Sequence, residues 1–208
     1  AMYISYVRAA PAVLLHNPNF FPIPSELAKA MVLIDIMHYD FEGKIRRGQI
    51  IVHELAMPAV LAFFRLAFQL RFPIHSVIPI NFFGWIDEFS CAANNSSGFN
   101  MRNIEGTLSL LALLSKHAIG CAFDINPRIN GCLVKHEKSL MFQRMIPANG
   151  TYNPGTPGTL FEEHSLVQLM LSYKWVWGGK WKFPVDNQHF QFVPEELAKF
   201  VTGPWIGI

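Results

Sequence analysis

In the stretch SKHAIGCAFDINP, Ser115 to Pro127, one histidine and one aspartate stand seven positions apart in a small-residue, mostly apolar run, with Gly120 between them. Polar groups are costly to bury unless they are hydrogen-bonded, paired or bound to a metal, so the stretch is either a surface turn or part of a site. A second Asp/His pair, Asp186 and His189, stands in VDNQHF. Hydrolytic zinc takes three ligands from His, Asp, Glu or Cys and leaves the fourth position for water. Gly120 permits a sharp turn, so His117 before it and Asp124 on a strand after it can point at one spot. Spacing alone leaves the bland readings open: a hydrogen-bonded core histidine, and an Asp/His pair on a solvated turn.

The elements that must position these residues mix strands and helices without a βαβ rhythm, which favours an α+β fold with a largely antiparallel central sheet flanked by helices. Residues 1–24, with Pro11, Pro18, Pro22 and Pro24, read as an extended N-terminal arm, and residues 25–208 as one domain. Ser25 is placed to cap a short helix over ELAKAM. VLIDIMHYDFEGKIRRGQIIVH reads as a hairpin about Glu42-Gly43-Lys44. Met57 to Arg71 has the apolar recurrence of a core helix, ended by Phe72-Pro73. HSVIPINFFGW reads as extended and DEFSCAANNSSGFNMRN as a polar loop, while LSLLALLSKH is ambiguous. CAFDI alternates as a strand. Glu162 to Tyr173 reads as an amphipathic helix, WVWGGKW as a turn or edge, HFQFV as a strand and PEELAKFV as a last helix. Lys135 to Gly158, rich in Gly, Pro and Asn, reads as a long loop bordering the cleft and setting specificity.

Composition narrows the function. The 208 residues are 51% hydrophobic, enough for one well-buried core. Seventeen basic and fifteen acidic residues give a net charge of +2, and no basic run exceeds Arg46-Arg47, so nucleic acid is not an expected partner. No apolar run is long enough for a transmembrane segment, since Leu55 to Leu70 is broken by Pro58 and Arg65. The start lacks a signal-peptide pattern, and Ala1 before Met2 reads as a cloning remnant. Cys91, Cys121 and Cys132 are odd in number without CxxC spacing, which argues against a disulfide framework or a cysteine zinc knuckle. One bridge with a free thiol stays open.

SKHAIGCAFDINP and WVWGGKWKFPVDNQHFQF resemble the two zinc-site signatures of the zinc D-alanyl-D-alanine carboxypeptidase and L-alanyl-D-glutamate endopeptidase family, the VanY-like bacterial peptidoglycan peptidases. The pattern there is S-x-H-x-x-G-x-A-x-D, then W-G-G-x-W, then D or E-x-x-H-F. Ser115, His117, Gly120, Ala122, Asp124, Gly178, Gly179, Trp181, Asp186, His189 and Phe190 fall on it. NNSSGFNMRN is similar to the segment carrying that family's active-site arginine, which places Arg102 in that role. The motifs span about half of the chain, Asn94 to Phe192. Two positions depart from the pattern: Met101 stands where an aromatic is common, and Gln191 where an acidic residue often follows His-Phe.

The resemblance implies a hedgehog/DD-peptidase-like zinc peptidase fold, one Zn²⁺ per chain held by His117, Asp124 and His189, Asp186 as general base, and Arg102 on a substrate carboxylate or developing oxyanion. Ser115 then orients a neighbouring loop or ligand. Trp177 and Trp181 wall the cleft or belong to the core, with Gly178-Gly179 allowing close backbone approach. The implied substrates are peptidoglycan-derived peptides, the expected location periplasmic or at the cell wall, and the expected state a monomer. His38, His53, His75, His136 and His164 match no ligand position and read as structural or exposed. Two other functions compete. A non-catalytic, zinc-stabilised binding module would have no need of Asp186. A cysteine hydrolase built on Cys121 would need an accessible thiolate, whereas CAFDI buries that thiol.

Overall fold

Two nine-residue runs, MVLIDIMHY and IRRGQIIVH, form the longest ladder in the computed structural model, which describes residues 1–109, 111–136 and 139–206. In chain order the elements are β1 (Tyr6–Ala9), α1 (Ser25–Ala30), β2 (Met31–Tyr39), β3 (Ile45–His53), α2 (Met57–Gln69), β4 (Ser76–Val77), α3 (Asp87–Ala92), β5 (Asn95–Ser96), β6 (Ala122–Asp124), β7 (Cys132–His136), β8 (Ser139–Ile146), α4 (Ser165–Ser172), β9 (Val176–Trp177), β10 (Val185–Asp186), β11 (His189–Gln191) and α5 (Ala198–Val201). Short 3-10 turns occupy Ala12–Leu14, Ile80–Phe83, Gly178–Lys180 and Glu195–Leu197.

The mixture of helices with antiparallel strands is α+β, but it is not built round one central sheet. The described strands divide into β1-β2-β3, β10-β7-β8, β6-β11-β9 and the parallel pair β4-β5. The reason is strand length: β6, β9, β10 and β11 have only two or three residues each, too few to carry a continuous ladder. Buried asparagines take over the missing backbone bonds. Asn126 receives His75 N–H and donates to the carbonyls of Pro73 and Gly158, and Asn130 donates to the carbonyls of Ile125 and Gly158.

Helix α2 supplies the packing surface. Val60, Phe63, Phe64, Ala67 and Phe68 recur at helical spacing and are buried. The Phe63 ring meets those of Phe123 in β6 and Phe190 in β11, with centroids 5.1 and 5.6 Å apart. Phe123 and Phe190 are themselves paired in register and stacked at 5.3 Å. Because successive strand side chains point to opposite faces, seating these two rings on α2 turns their neighbours Asp124 and His189 the other way.

Several expectations need correction. DEFSCA is not loop but α3, with Asp87 and Glu88 in its first turn, where acidic groups complement the helix dipole. Lys135 to Gly158 is a loop only in its second half: Lys135 and His136 end β7, and Ser139–Ile146 is the strand β8 paired back on it. HSVIPINFFGW is extended only at β4 and then coils into the Ile80–Phe83 turn. Pro24, not Ser25, is the N-cap of α1, and no side chain caps it. LSLLALLSKH is not helical in its described residues, being turns and one bridge, Asn103 to Leu114. The hairpin, α2, the CAFDI strand, α4 and the last strand stand where the periodicity puts them. Among the described residues no helix is long and apolar enough to cross a membrane.

Candidate metal centre

Asp124 and His189 face each other directly across the β6–β11 ladder. His117 joins them from the turn before β6. That turn closes by the bonds Gly120 N–H to His117 O and Cys121 N–H to Lys116 O. Gly120 has φ +70, and a Cβ there would collide with the backbone nitrogen of His53 and the side chain of Met31, so the turn needs glycine for both conformation and space. Ser115 Oγ accepts the His117 backbone N–H at 3.2 Å, which helps fix the histidine's backbone.

The three side chains are buried and converge. His189 Nδ1 lies 2.9 Å from Asp124 Oδ1, His117 Nε2 lies 3.3 Å from Asp124 Oδ2, and the two ring nitrogens are 3.2 Å apart. The outer ring nitrogens are already committed. His117 Nδ1–H donates to Gly98 O at 2.8 Å, and His189 Nε2–H donates to Gln191 Oε1 at 2.9 Å. Both inner nitrogens therefore present lone pairs to one another and to a carboxylate, an arrangement that is stable only with a positive charge among them. A proton fills that need by making His189 an imidazolium. Burial alone would lower the His189 pKa, but the hydrogen bond and charge of Asp124 outweigh it and raise the value to about 9. Asp124, whose burial works the other way, is held well below the usual carboxylate range by the two histidines. A divalent ion would use the same three donors, one atom from each, all within 4.8 Å of one another. The donor set suits zinc, with its preference for imidazole nitrogen and carboxylate oxygen.

Asp186 lines the same cleft from β10, opposite Cys132 in β7. Its Oδ1 is buried without a hydrogen-bond partner, and burial raises the carboxyl pKa to about 6, the His189 charge opposing and Asp124 adding to the rise. Gly178 packs on the Asp186 backbone so closely that a Cβ there would reach its carbonyl oxygen. Arg102 also reaches the cleft. Its carbonyl accepts from Ser115 N–H, its Nη1–H donates to Asn103 O, and its Nη2 lies 3.7 Å from Asp87 Oδ2 on α3. The Nε of Arg102 is buried without a partner.

Two residues paired in the sequence reading separate here. Trp181 lines the cleft, its ring 5.5 Å from that of His189. Trp177 is core: it is buried, and its Nε1–H donates to Asn187 O, steadying the turn before β11. The segment Arg144 to Ala148 borders the cleft as expected, from the β8 strand and the turn after it. The cleft encloses about 1080 Å³. Among the described residues the cysteines are free and buried; burial pushes the Cys121 thiol well above its usual value, which removes the cysteine-hydrolase reading. Sequence reasoning missed Asp87, hidden in a stretch read as loop, and the function of Gln191, visible only as a departure from pattern. The side chain of His136 lies outside the described residues.

Residues 111–192 match the family model described as D-alanyl-D-alanine carboxypeptidase. The resemblance read from the motifs is borne out. No curated protein and no solved structure matches the chain. The matched segment contains His117, Asp124, Asp186 and His189; Arg102 lies just outside it. The family is one of peptidases, and the buried His-Asp-His group fits the metal that peptidases of this kind use.

Proposed function

We propose that the protein is a zinc-dependent peptidase that hydrolyses peptide bonds in peptidoglycan stem peptides, as a D-alanyl-D-alanine carboxypeptidase or an L,D-endopeptidase. It is a monomer acting in the periplasm or at the cell wall, on a hedgehog/DD-peptidase-like fold. The observation that carries this reading is the convergence of two inner ring nitrogens on one carboxylate, with an unpartnered buried carboxylate oxygen in the same cleft. His117, Asp124 and His189 would hold one zinc ion, which when bound lowers the pKa of water towards neutrality and polarises a peptide carbonyl.

The other steps belong to the chain. Gly98 O and Gln191 Oε1 hold both imidazoles in the tautomer that turns a lone pair inward. Asp186 accepts a proton from the attacking water as the C–O bond forms, and returns it to the amide nitrogen as the C–N bond breaks. Arg102 meets the negative charge, on the carbonyl oxygen or on a terminal carboxylate of the peptide. Trp181 closes one wall of the cleft beside His189. Burial keeps water from competing for these groups.

Defined muropeptides incubated with the protein, with and without a zinc chelator, test the reading by mass spectrometry of the products. Loss of a terminal D-alanine or cleavage within the stem, abolished by chelation and restored by zinc, is the expected result. Intact muropeptides at full zinc occupancy would overturn it.

A further inference from the structure

A second cavity, of about 530 Å³, opens on the outer face of the β1–β2–β3 sheet and shares no lining residue with the metal cleft. Its size is that of a small-molecule site. The sheet register builds one wall. Tyr6, Asp35 and Gln49 are cross-strand partners, so their side chains stand in one row on one face. Asp35 is the organiser of the row. It accepts from Arg8 Nη1 at 2.5 Å and from Gln49 Nε2 at 2.8 Å, which holds the Gln49 amide in place with its own carbonyl oxygen left over. The opposite wall is apolar: Ile78 and Phe82, from the segment after β4, are 37% and 68% exposed. Tyr6 is 65% exposed on the sheet side.

Large apolar side chains left in water around a fixed polar row indicate a ligand with two kinds of surface. Two exposed aromatic rings offer flat apolar faces. The same cavity is lined by Arg47 and by the Gln49 amide that Asp35 holds in place, which supply a charged donor and a carbonyl acceptor. A pyranose ring has this character, with C–H faces above and below and hydroxyl or acetamido groups round its edge. A peptide strand would instead ask for an open sheet edge, and the row lies on a face.

We infer that this cavity is a carbohydrate subsite that takes a pyranose unit between Tyr6 and Phe82, with Gln49 reading the edge of the ring. Its identification with the glycan of the same polymer rests on the peptidase reading; sugar binding by itself does not. A cleft that cuts peptides attached to a glycan gains residence time from a second, non-catalytic grip on that glycan, because the second contact is made at high effective concentration.

The test is titration of the zinc-loaded protein with the tetrasaccharide of N-acetylglucosamine, followed by saturation-transfer NMR and calorimetry. Saturable binding with a Kd of about 1 mM is expected, weakened about tenfold or more in Phe82→Ala and in Gln49→Ala. Both changes are near the surface, and circular dichroism checks that each variant is folded. His117→Ala should bind the sugar as the parent does while losing zinc. Binding that vanished with His117→Ala but survived Phe82→Ala would move the sugar to the metal cleft and overturn the proposal, as would no saturable binding by the parent protein. Because neither readout requires hydrolysis, failure of the peptidase reading leaves this outcome unchanged.

Discussion

The β1–β2–β3 sheet and the β6–β11–β9 sheet each have three strands, yet they are held together by opposite means. In the first, two nine-residue strands form an unbroken ladder from Met31–His53 to Tyr39–Ile45, buried on both faces at the His53 end and exposed along β3 from Ile45 to Arg47. In the second, strands of two or three residues meet at five cross-strand pairs, and the geometry comes from elsewhere: phenylalanines seated on α2, asparagine side chains bonded to backbone, and glycines where chains nearly touch. A regular ladder repeats one geometry along its length. Two histidines, a carboxylate and a base at unequal distances need a different geometry at each position, so the site sits where regular structure is shortest.

The difference is sharpest in what a single side chain does. Asp186→Ala removes a carboxyl whose Oδ1 is buried without a partner, so its effect should fall on chemistry. Turnover on one defined muropeptide should drop by about two to four orders of magnitude with zinc content unchanged. His117→Ala should lose both. Metal lost from Asp186→Ala would show that base and ligand have been exchanged.

Next in size is a pair of glycines with nearly the same backbone. Gly120, φ +70, sits in the site and is walled by His53 and Met31; Gly43, φ +74, sits in the hairpin turn with open space round it. Alanine at Gly43 meets only the left-handed conformation, at about 1–2 kcal/mol. Alanine at Gly120 meets that and the overlap, about 1–3 kcal/mol more, and shifts His117 as well. Urea unfolding of the two variants measures the first part, and zinc affinity the second. Equal losses for both would mean that the site is no more tightly built than the turn.

A smaller effect isolates the outer contacts of the ligands. Gln191→Ala leaves all three donors in place but frees His189 to turn and to change tautomer, and should weaken zinc binding about 10- to 100-fold. Competition with a chromophoric chelator measures it. Affinity equal to the parent would relieve Gln191 of any part in the centre.

These contrasts also explain what could be read from the chain. The β2–β3 hairpin follows from two strand-like runs about a turn, and α2 from its helical period. The site residues came from motif spacing, which carries no geometry: it brought His117, Asp124, Asp186 and His189 into view but did not separate buried Trp177 from Trp181. Asp87 and the asparagine struts were invisible because their stretches have loop composition. DEFSCA is a helix of six residues, too short for periodicity to declare. The β7–β8 hairpin was hidden by the Gly, Pro and Asn that follow it.

The smallest predicted effect belongs to the regular half. His38 in β2 is buried, its Nδ1 near Tyr39 O and its Nε2 without a partner. Burial holds its pKa below the ordinary 6.5, with the backbone of Tyr39 and Ile74 and the charge of Asp40 resisting and Arg46 reinforcing the shift. The folded protein thus keeps this imidazole neutral where the unfolded chain would protonate it. Above pH 6.5 the two states bind the same number of protons here, and stability is unaffected. As pH falls below that value the unfolded chain takes up a proton that the folded one refuses, so stability declines until the folded pKa is passed, by at most about 1.4 kcal/mol per pH unit. His38→Leu has no such proton to take up. The urea midpoint of the parent should therefore fall more between pH 7.5 and 5.5 than that of His38→Leu, with both proteins stripped of zinc so that ligand protonation does not enter through the metal. Parallel declines would show that acid acts elsewhere, with His53 and His164, which burial also keeps neutral, the next to replace.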